Sequence, residues 1–276
     1  MTILRLIESL LVGGATGFLS GLLGLGGGFI LVPLLTLIGV PVHRAVGTSL
    51  AFIACASLAG AVQHLRQRSI DLSVALALAV PAALMAHMSA HFSSLLPSSW
   101  LYLLFSALDL AVLLSFYFSP SSQSSRADQN TPPHAHRLYI LHRQRIVGNV
   151  SYSYDVNVIA AVLGGIGTGI VTGLFGVGGG FLLVPLLVIV LHIPLRVTIG
   201  TCLAATILPA WVGTLAHWQL GHIDFGLWAS LVVTGILGSQ FGARCVVRFR
   251  PELLKRLFLL LMLVGTLYML TKGLIA

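Results

Sequence analysis

The sequence predicts an all-α polytopic membrane protein made of two inverted-topology repeats. Each repeat has about five helical segments, with a broken or short helix at a glycine-rich motif. Three observations carry that prediction. Of 276 residues, 57% are hydrophobic and only 8% charged, and mean hydropathy is +1.00, whereas soluble domains carry about 25% charged residues. Apolar runs of roughly 20 residues, the length that crosses a bilayer, recur along the chain. The stretch Gly21–Pro33 returns almost unchanged as Gly173–Pro185.

Taken in order, the first half offers apolar segments at about 6–23, 28–40, 45–65, 71–92 and 99–118. The second offers about 156–175, 180–192, 198–218, 224–245 and 252–273. Segments 28–40 and 180–192 fall short of the roughly 17 residues that a spanning helix needs. Each is expected to be a short helix after a break, tilted or re-entrant. The first 24 residues have only Arg5 as a positive flank, and 13–24 recur at 165–176, so they read as part of the fold and not as a cleaved leader. Residues 119–151 are rich in Ser, Gln, Pro, His and Arg without an apolar period. They read as a linker between repeat 1–118 and repeat 152–276.

The halves match at a shift of 152 and, after a one-residue insertion, at 153: Pro41 meets Pro194, Gly47-Thr48 meets Gly200-Thr201, Gly60 meets Gly213, His64 meets His217, and Ile70-Asp71 meets Ile223-Asp224. Basic residues indicate inversion. The turn after the third segment carries Arg66 and Arg68, while its partner, 219–223, carries neither Lys nor Arg. The turn after the ninth carries Arg248, Arg250, Lys255 and Arg256, while its partner, 92–99, carries none. Loops rich in Lys and Arg stay cytoplasmic. Equivalent turns are therefore expected on opposite sides of a bacterial inner membrane, with linker 119–151 cytoplasmic and both termini outside. The net charge of +8 follows from these loops and does not indicate nucleic-acid binding.

Both triple glycines, Gly26-Gly27-Gly28 and Gly178-Gly179-Gly180, interrupt an apolar helix. Glycine costs about 1 kcal/mol against alanine inside a helix, so six at matched positions point to two built-in breaks. A broken helix in each half is the sequence mark of a transporter's substrate site. The helix that restarts offers unpaired N–H groups and a positive dipole end to an anion. The other reading is close helix packing without a ligand. Gly13, Gly17 and Gly21, mirrored by Gly165, Gly169 and Gly173, form a small-residue seam assigned to packing.

Thr48, Ser49 and Thr201 follow a proline near a helix start and either complete an oxyanion site or bond locally. Asp71 and Asp224 read as N-caps of the following helices; with His64 and His217 they form a mirrored set for which proton coupling is the lesser reading. Asp109 lies inside an apolar segment without an acidic counterpart. It is expected to face the bundle interior, as a proton carrier or as the partner of a base such as Arg244. His87 and His91 lack a third ligand, so no metal is expected. There is no His-Glu-x-x-His, no Walker A lysine and no intramembrane serine-protease motif, which leaves no enzyme reading, and no cofactor is expected.

The doubled Gly-x-x-Gly-x-Gly-Gly-Gly-Phe-x-x-Val-Pro motif, the Gly-Thr-Ser and Gly-Thr-Cys elements and the His…Ile-Asp turns resemble the TauE/SafE family of membrane transporters, also described as sulfite exporters. The resemblance covers the chain outside the linker. It implies a secondary carrier of small anions, typically sulfite or organosulfonates. The expected partners are thus a small anionic substrate and the lipid bilayer. An anion channel and a non-transporting membrane sensor are the alternatives.

Overall fold

The computed structural model describes residues 3–118, 140–147, 150–249 and 251–275. The first half folds as α1 (Ile3–Leu23), α2 (Gly28–Leu37), α3 (Val42–Arg66), α4 (Leu72–Ser93) and α5 (Ser98–Phe118). A β-hairpin follows, β1 (Ile140–Val147) and β2 (Val150–Asn157). The second half gives α6 (Val158–Phe175), α7 (Gly180–Pro185) running into a π-helical turn (Leu186–Val190), α8 (Leu195–Gln219), α9 (Phe225–Cys245) and α10 (Pro251–Ile275). All ten expected segments are helical. Among the described residues, eight helices are long and apolar enough to cross a membrane. The chain is a multi-pass membrane protein.

The hairpin is the departure from an all-helical reading. Residues 119–151 read as a linker without an apolar period, yet β1 and the start of β2 fall inside them; 119–139 and 148–149 lie outside the described residues. The signal is a period of two, Val150, Tyr152, Tyr154 and Val156, after a Gly-Asn pair. Tyr154 and Val156 are buried. The Tyr154 hydroxyl donates to Asp71 Oδ2 at 2.9 Å, fastening the strand to the start of α4. Asn157 then caps α6, accepting from the N–H of Ile159 and Ala160 at 3.0 and 3.2 Å.

Small residues decide which helices touch. A Cβ on Gly13, Gly17 or Gly21 would strike the backbone of Leu231, Gly235 or Ser239 on α9, and one on Gly165, Gly169 or Gly173 that of Leu78, Ala82 or Ala86 on α4. The first helix of each half thus packs, at backbone contact, on the fourth helix of the other. Both pairs run parallel, because the contact numbers rise together. Helix α3 is parallel to α9, with Ser239 Oγ donating to Ala56 O at 2.7 Å and Gln67 Nε2 to Ala243 O at 3.0 Å. Helices α3 and α8 are antiparallel: Leu50 packs on Gly213, and Leu203 on Gly60. It follows that α1, α3 and α9 point one way, and α4, α6 and α8 the other.

Candidate functional site

Each break is built the same way. Helix α1 closes when the Gly24 N–H bonds Ser20 O at 2.9 Å, and α6 when Gly176 bonds Thr172 O at 3.0 Å. Six glycines take left-handed conformations: Gly24, Gly26 and Gly27 at φ of 75, 73 and 84°, and Gly176, Gly178 and Gly179 at 70, 69 and 68°. Any other residue is strained there. The chain then re-enters a helix: Leu31 and Leu183 donate to Gly27 O and Gly179 O at 3.0 and 2.9 Å. By helix geometry the N–H groups just before them, at Gly28 and Phe29 and at Gly180 and Phe181, have no partner within the helix.

The two breaks meet. A Cβ on Gly28 would lie 2.7 Å from Gly176 O, and one on Gly180 would strike Leu25. Ile53, midway along α3, and Thr206, midway along α8, both touch Gly26 and Gly178. The glycines are thus packed loop against loop at the centre of the bundle. The Phe29 and Phe181 rings that open the two short helices stack 6.4 Å apart. The close-packing role of these glycines is realised in full, and the two helix starts it brings together are those expected for an anion. Every residue from Gly21 to Pro33 and from Gly173 to Pro185 is uncharged.

Thr48 and Thr201 do not converge on that centre. The Thr48 Oγ1 accepts from the N–H of Asp224 at 3.0 Å, and Thr201 Oγ1 from that of Asp71 at 3.0 Å. The adjacent glycines explain the pairing. A Cβ on Gly47 would press on His222 O, and one on Gly200 would lie 2.9 Å from Ser69 O. Only glycine admits those turns closely enough for the threonine to reach. Ser49 does reach a break, donating to Gly176 O at 2.8 Å. Asp71 and Asp224 are N-caps as expected, accepting from Ser73 N at 3.1 Å and Leu227 N at 3.0 Å.

Sequence reasoning missed what the mirrored histidines do. His64 Nε2 lies 3.2 Å from Gly21 O, and His217 Nε2 2.9 Å from Gly173 O. These carbonyls belong to the last turn before each break, where a helix lacks donors. Because a carbonyl only accepts, each Nε2 carries the proton and each Nδ1 is an acceptor. Nδ1 of His64 meets Ser69 Oγ at 3.0 Å, and Nδ1 of His217 meets His222 Nδ1 at 3.2 Å. His222 therefore donates. Its ring lies 5.4 Å from that of His43. Burial, reinforced by His43 and Arg44, holds the His222 imidazole below its ordinary range.

Asp109 is fully buried, as expected. Arg244 is not its partner: its Nε approaches Gln63 Oε1 at 3.5 Å across the α3–α9 contact, while Asp109 faces α10. His87 and His91 are linked to each other, His91 Nδ1 lying 3.0 Å from His87 O. Among the described residues no cluster of three metal-binding side chains occurs.

The family described as Sulfite exporter TauE/SafE matches residues 9–269. The chain belongs to that family. Similar proteins include a "Probable membrane transporter protein" of Xylella fastidiosa (strain 9a5c), 30% identical over 99% of this chain and 98% of that one. YdhB of Bacillus subtilis (strain 168), also a "Probable membrane transporter protein", is 28% identical over 83% of this chain and 85% of its own. YunE of the same organism is 26% identical over 84% and 85%. No solved structure matches the chain. Membership of the TauE/SafE family makes this a transporter-type protein and not an enzyme.

Proposed function

We propose that the chain is a secondary transporter of small anions, sulfur-containing oxyanions such as sulfite or an organosulfonate, working by alternating access. The observation that carries this reading is the meeting of the two glycine breaks at the middle of α3 and α8. Two helix starts then aim unpaired N–H groups and positive dipole ends into one region of uncharged residues. Gly26 to Gly28 and Gly178 to Gly180 form the anion site. Ser49 braces its border, while Thr48 and Thr201 fix the turns that frame it. The alternating-access reading is supported by helix direction: α3 opposes α8, and α1 opposes α6. A duplication of inverted topology has that property, and its two halves can rock about a shared centre.

Charge supports the orientation. Arg66, Arg68, Arg196, Arg244, Arg248 and Arg256 gather where α3 and α9 end and α8 and α10 begin; Arg5, Arg44 and Lys272 mark the other end. The richer end is cytoplasmic on this reading, in an inner membrane, with linker 119–151 inside and both termini outside.

Counterflow in proteoliposomes tests the function, with radiolabelled sulfite outside and unlabelled sulfite, sulfate or isethionate inside. Label accumulation driven by particular internal anions is expected. Flux without counterflow and with large unitary currents would replace the carrier by a channel. No flux of any anion in folded protein would leave a sensor or partner protein.

A further inference from the structure

Asp109 is a fully buried acid inside an apolar span, and it caps no helix. Neither carboxyl oxygen has a committed hydrogen-bond partner, and the donor beside it is the Thr266 hydroxyl. That hydroxyl is committed to Met262 O at 2.9 Å. What Asp109 faces is a notch left by the missing side chain of Gly265. The place a Cβ of Gly265 would take lies 3.7 Å from Asp109 Oδ2, 3.8 Å from the carbonyl oxygen of Phe29 and 4.0 Å from the Pro33 ring. Proline brings no N–H, so Phe29 loses the donor that a helix normally supplies four residues on. An acid without a committed partner and a carbonyl without its donor thus open on the same small space.

Among the described residues the surroundings carry no countercharge. Helices α2 and α7 have no ionisable residue. From α10 the groups at this level are Gly265, Thr266 and Met262, with the Tyr268 hydroxyl, itself unpartnered, beyond them; Tyr102 on α5 neighbours Tyr268, and Lys272 is exposed. An isolated carboxylate in such a setting is far costlier than the neutral acid. A narrow apolar cleft lined by Val32, Val46, Tyr102, Phe105, Phe175 and Met269 lies on the same face of α5, one turn away.

We propose that Asp109 is a proton-binding site coupled to anion movement. As the neutral acid it donates into the notch toward the Phe29 carbonyl and keeps α2 packed on α5 and α10. Release of the proton leaves a carboxylate that needs water, and water reaches it only when α2 separates from α5 and α10. Since α2 begins at the Gly26–Gly28 break, loading or unloading the proton shifts one wall of the anion path. The inference rests on the reading of the breaks as that path.

Two measurements test it. In proteoliposomes, isethionate, an anion that carries no titrating proton, is offered under an imposed pH gradient and, separately, in counterflow at equal pH on both sides. The wild type is expected to accumulate isethionate under the gradient. Asp109→Asn is expected to lose that accumulation to the level of protein-free vesicles, to retain counterflow, and to regain coupling as Asp109→Glu. Gradient-driven uptake that persists in Asp109→Asn overturns the proposal. Infrared difference spectra supply the second readout: wild type at neutral pH should show a protonated carboxylic-acid band that Asp109→Asn lacks. Absence of that band overturns the proton site whatever the flux; the band without counterflow of any anion supports the proton site and refutes the anion reading alone.

Discussion

The Thr48 hydroxyl accepts a hydrogen bond from the N–H of Asp224 at 3.0 Å, and the same bond at the same length joins Thr201 to Asp71. Each threonine sits near the start of the third helix of its half and holds the cap of the fourth helix of the other half. These two bonds tie the ends of the bundle across the halves. Both threonines are fully buried, so losing the acceptor strands a peptide donor away from water. Thr48→Val and Thr201→Val should each lower stability by about 1–3 kcal/mol, whereas the serine variants keep the oxygen and stay close to wild type. Thermal unfolding in detergent micelles measures both. If the valine variants melt with the wild type, these bonds contribute nothing.

The small-residue seam gives a graded test. Gly169→Ala drives a methyl into the Ala82 backbone on α4 and Gly17→Ala into Gly235 on α9. Neither helix can yield without moving its neighbours, and overpacking of this kind costs about 1–3 kcal/mol. Gly167 lies on the same α6 helix with nothing within 4 Å of its Cβ position. There alanine should help by up to about 1 kcal/mol through helix propensity. Yields and melting temperatures of the three variants should rank Gly167→Ala above wild type and the other two below it. A uniform response would mean that helix propensity, not backbone contact, governs these positions.

The mirrored histidines predict a specific dependence on one ring nitrogen. His64 and His217 supply a donor to Gly21 O and Gly173 O, the carbonyls that the breaks leave open. Replacing either by alanine strands a buried carbonyl and should cost about 1–3 kcal/mol. The double variant should lose more than either single one, because each break packs on the other. Hydrogen exchange would show the Gly24 and Gly176 amides, which close the same helix ends, losing protection first. Unchanged exchange there would detach the histidines from the breaks.

Much of this architecture was legible because the chain states it twice. All ten helices follow from apolar runs, and the breaks from glycines whose left-handed φ no other residue adopts cheaply. The Asp71 and Asp224 caps were readable because an aspartate before an apolar run has a local partner two or three residues on. Partners distant in sequence were not readable. Nothing local ties Thr48 to Asp224 or His64 to Gly21; those pairings exist because glycine seams bring α1 against α9 and α6 against α4. The hairpin escaped notice because its polar residues lowered hydropathy, although Val150, Tyr152, Tyr154 and Val156 alternate plainly. Arg244 was a reasonable partner for Asp109 by charge alone, but α9 packs chiefly on α1 and α3, and α5 on α10.

One position breaks the mirror, and pH should expose it. His222 occupies the place that Ser69 holds in the first half, and both meet Nδ1 of the capping histidine, at 3.2 and 3.0 Å. The Ser69 hydroxyl does not titrate in this range; its one proton is shared between His64 Nδ1 at 3.0 Å and the His64 carbonyl oxygen at 3.1 Å. His222 brings a titrating ring beside His43 and Arg44, and burial first, those charges second, hold it below the ordinary 6.5. Above that value the ring is neutral in both folded and unfolded chains, and no stability depends on it. As pH falls below about 6.5 the unfolded chain binds the proton first, so acidification destabilises the fold until the lowered folded value is passed. His222→Ser keeps a donor for His217 and removes the titration. Its melting temperature should match wild type near neutral pH and fall less on the way to pH 5. Parallel acid limbs for the two proteins would assign the loss of stability to other groups. A steeper limb in the variant would mean that the protonated His222 finds a stabilising partner in the folded chain.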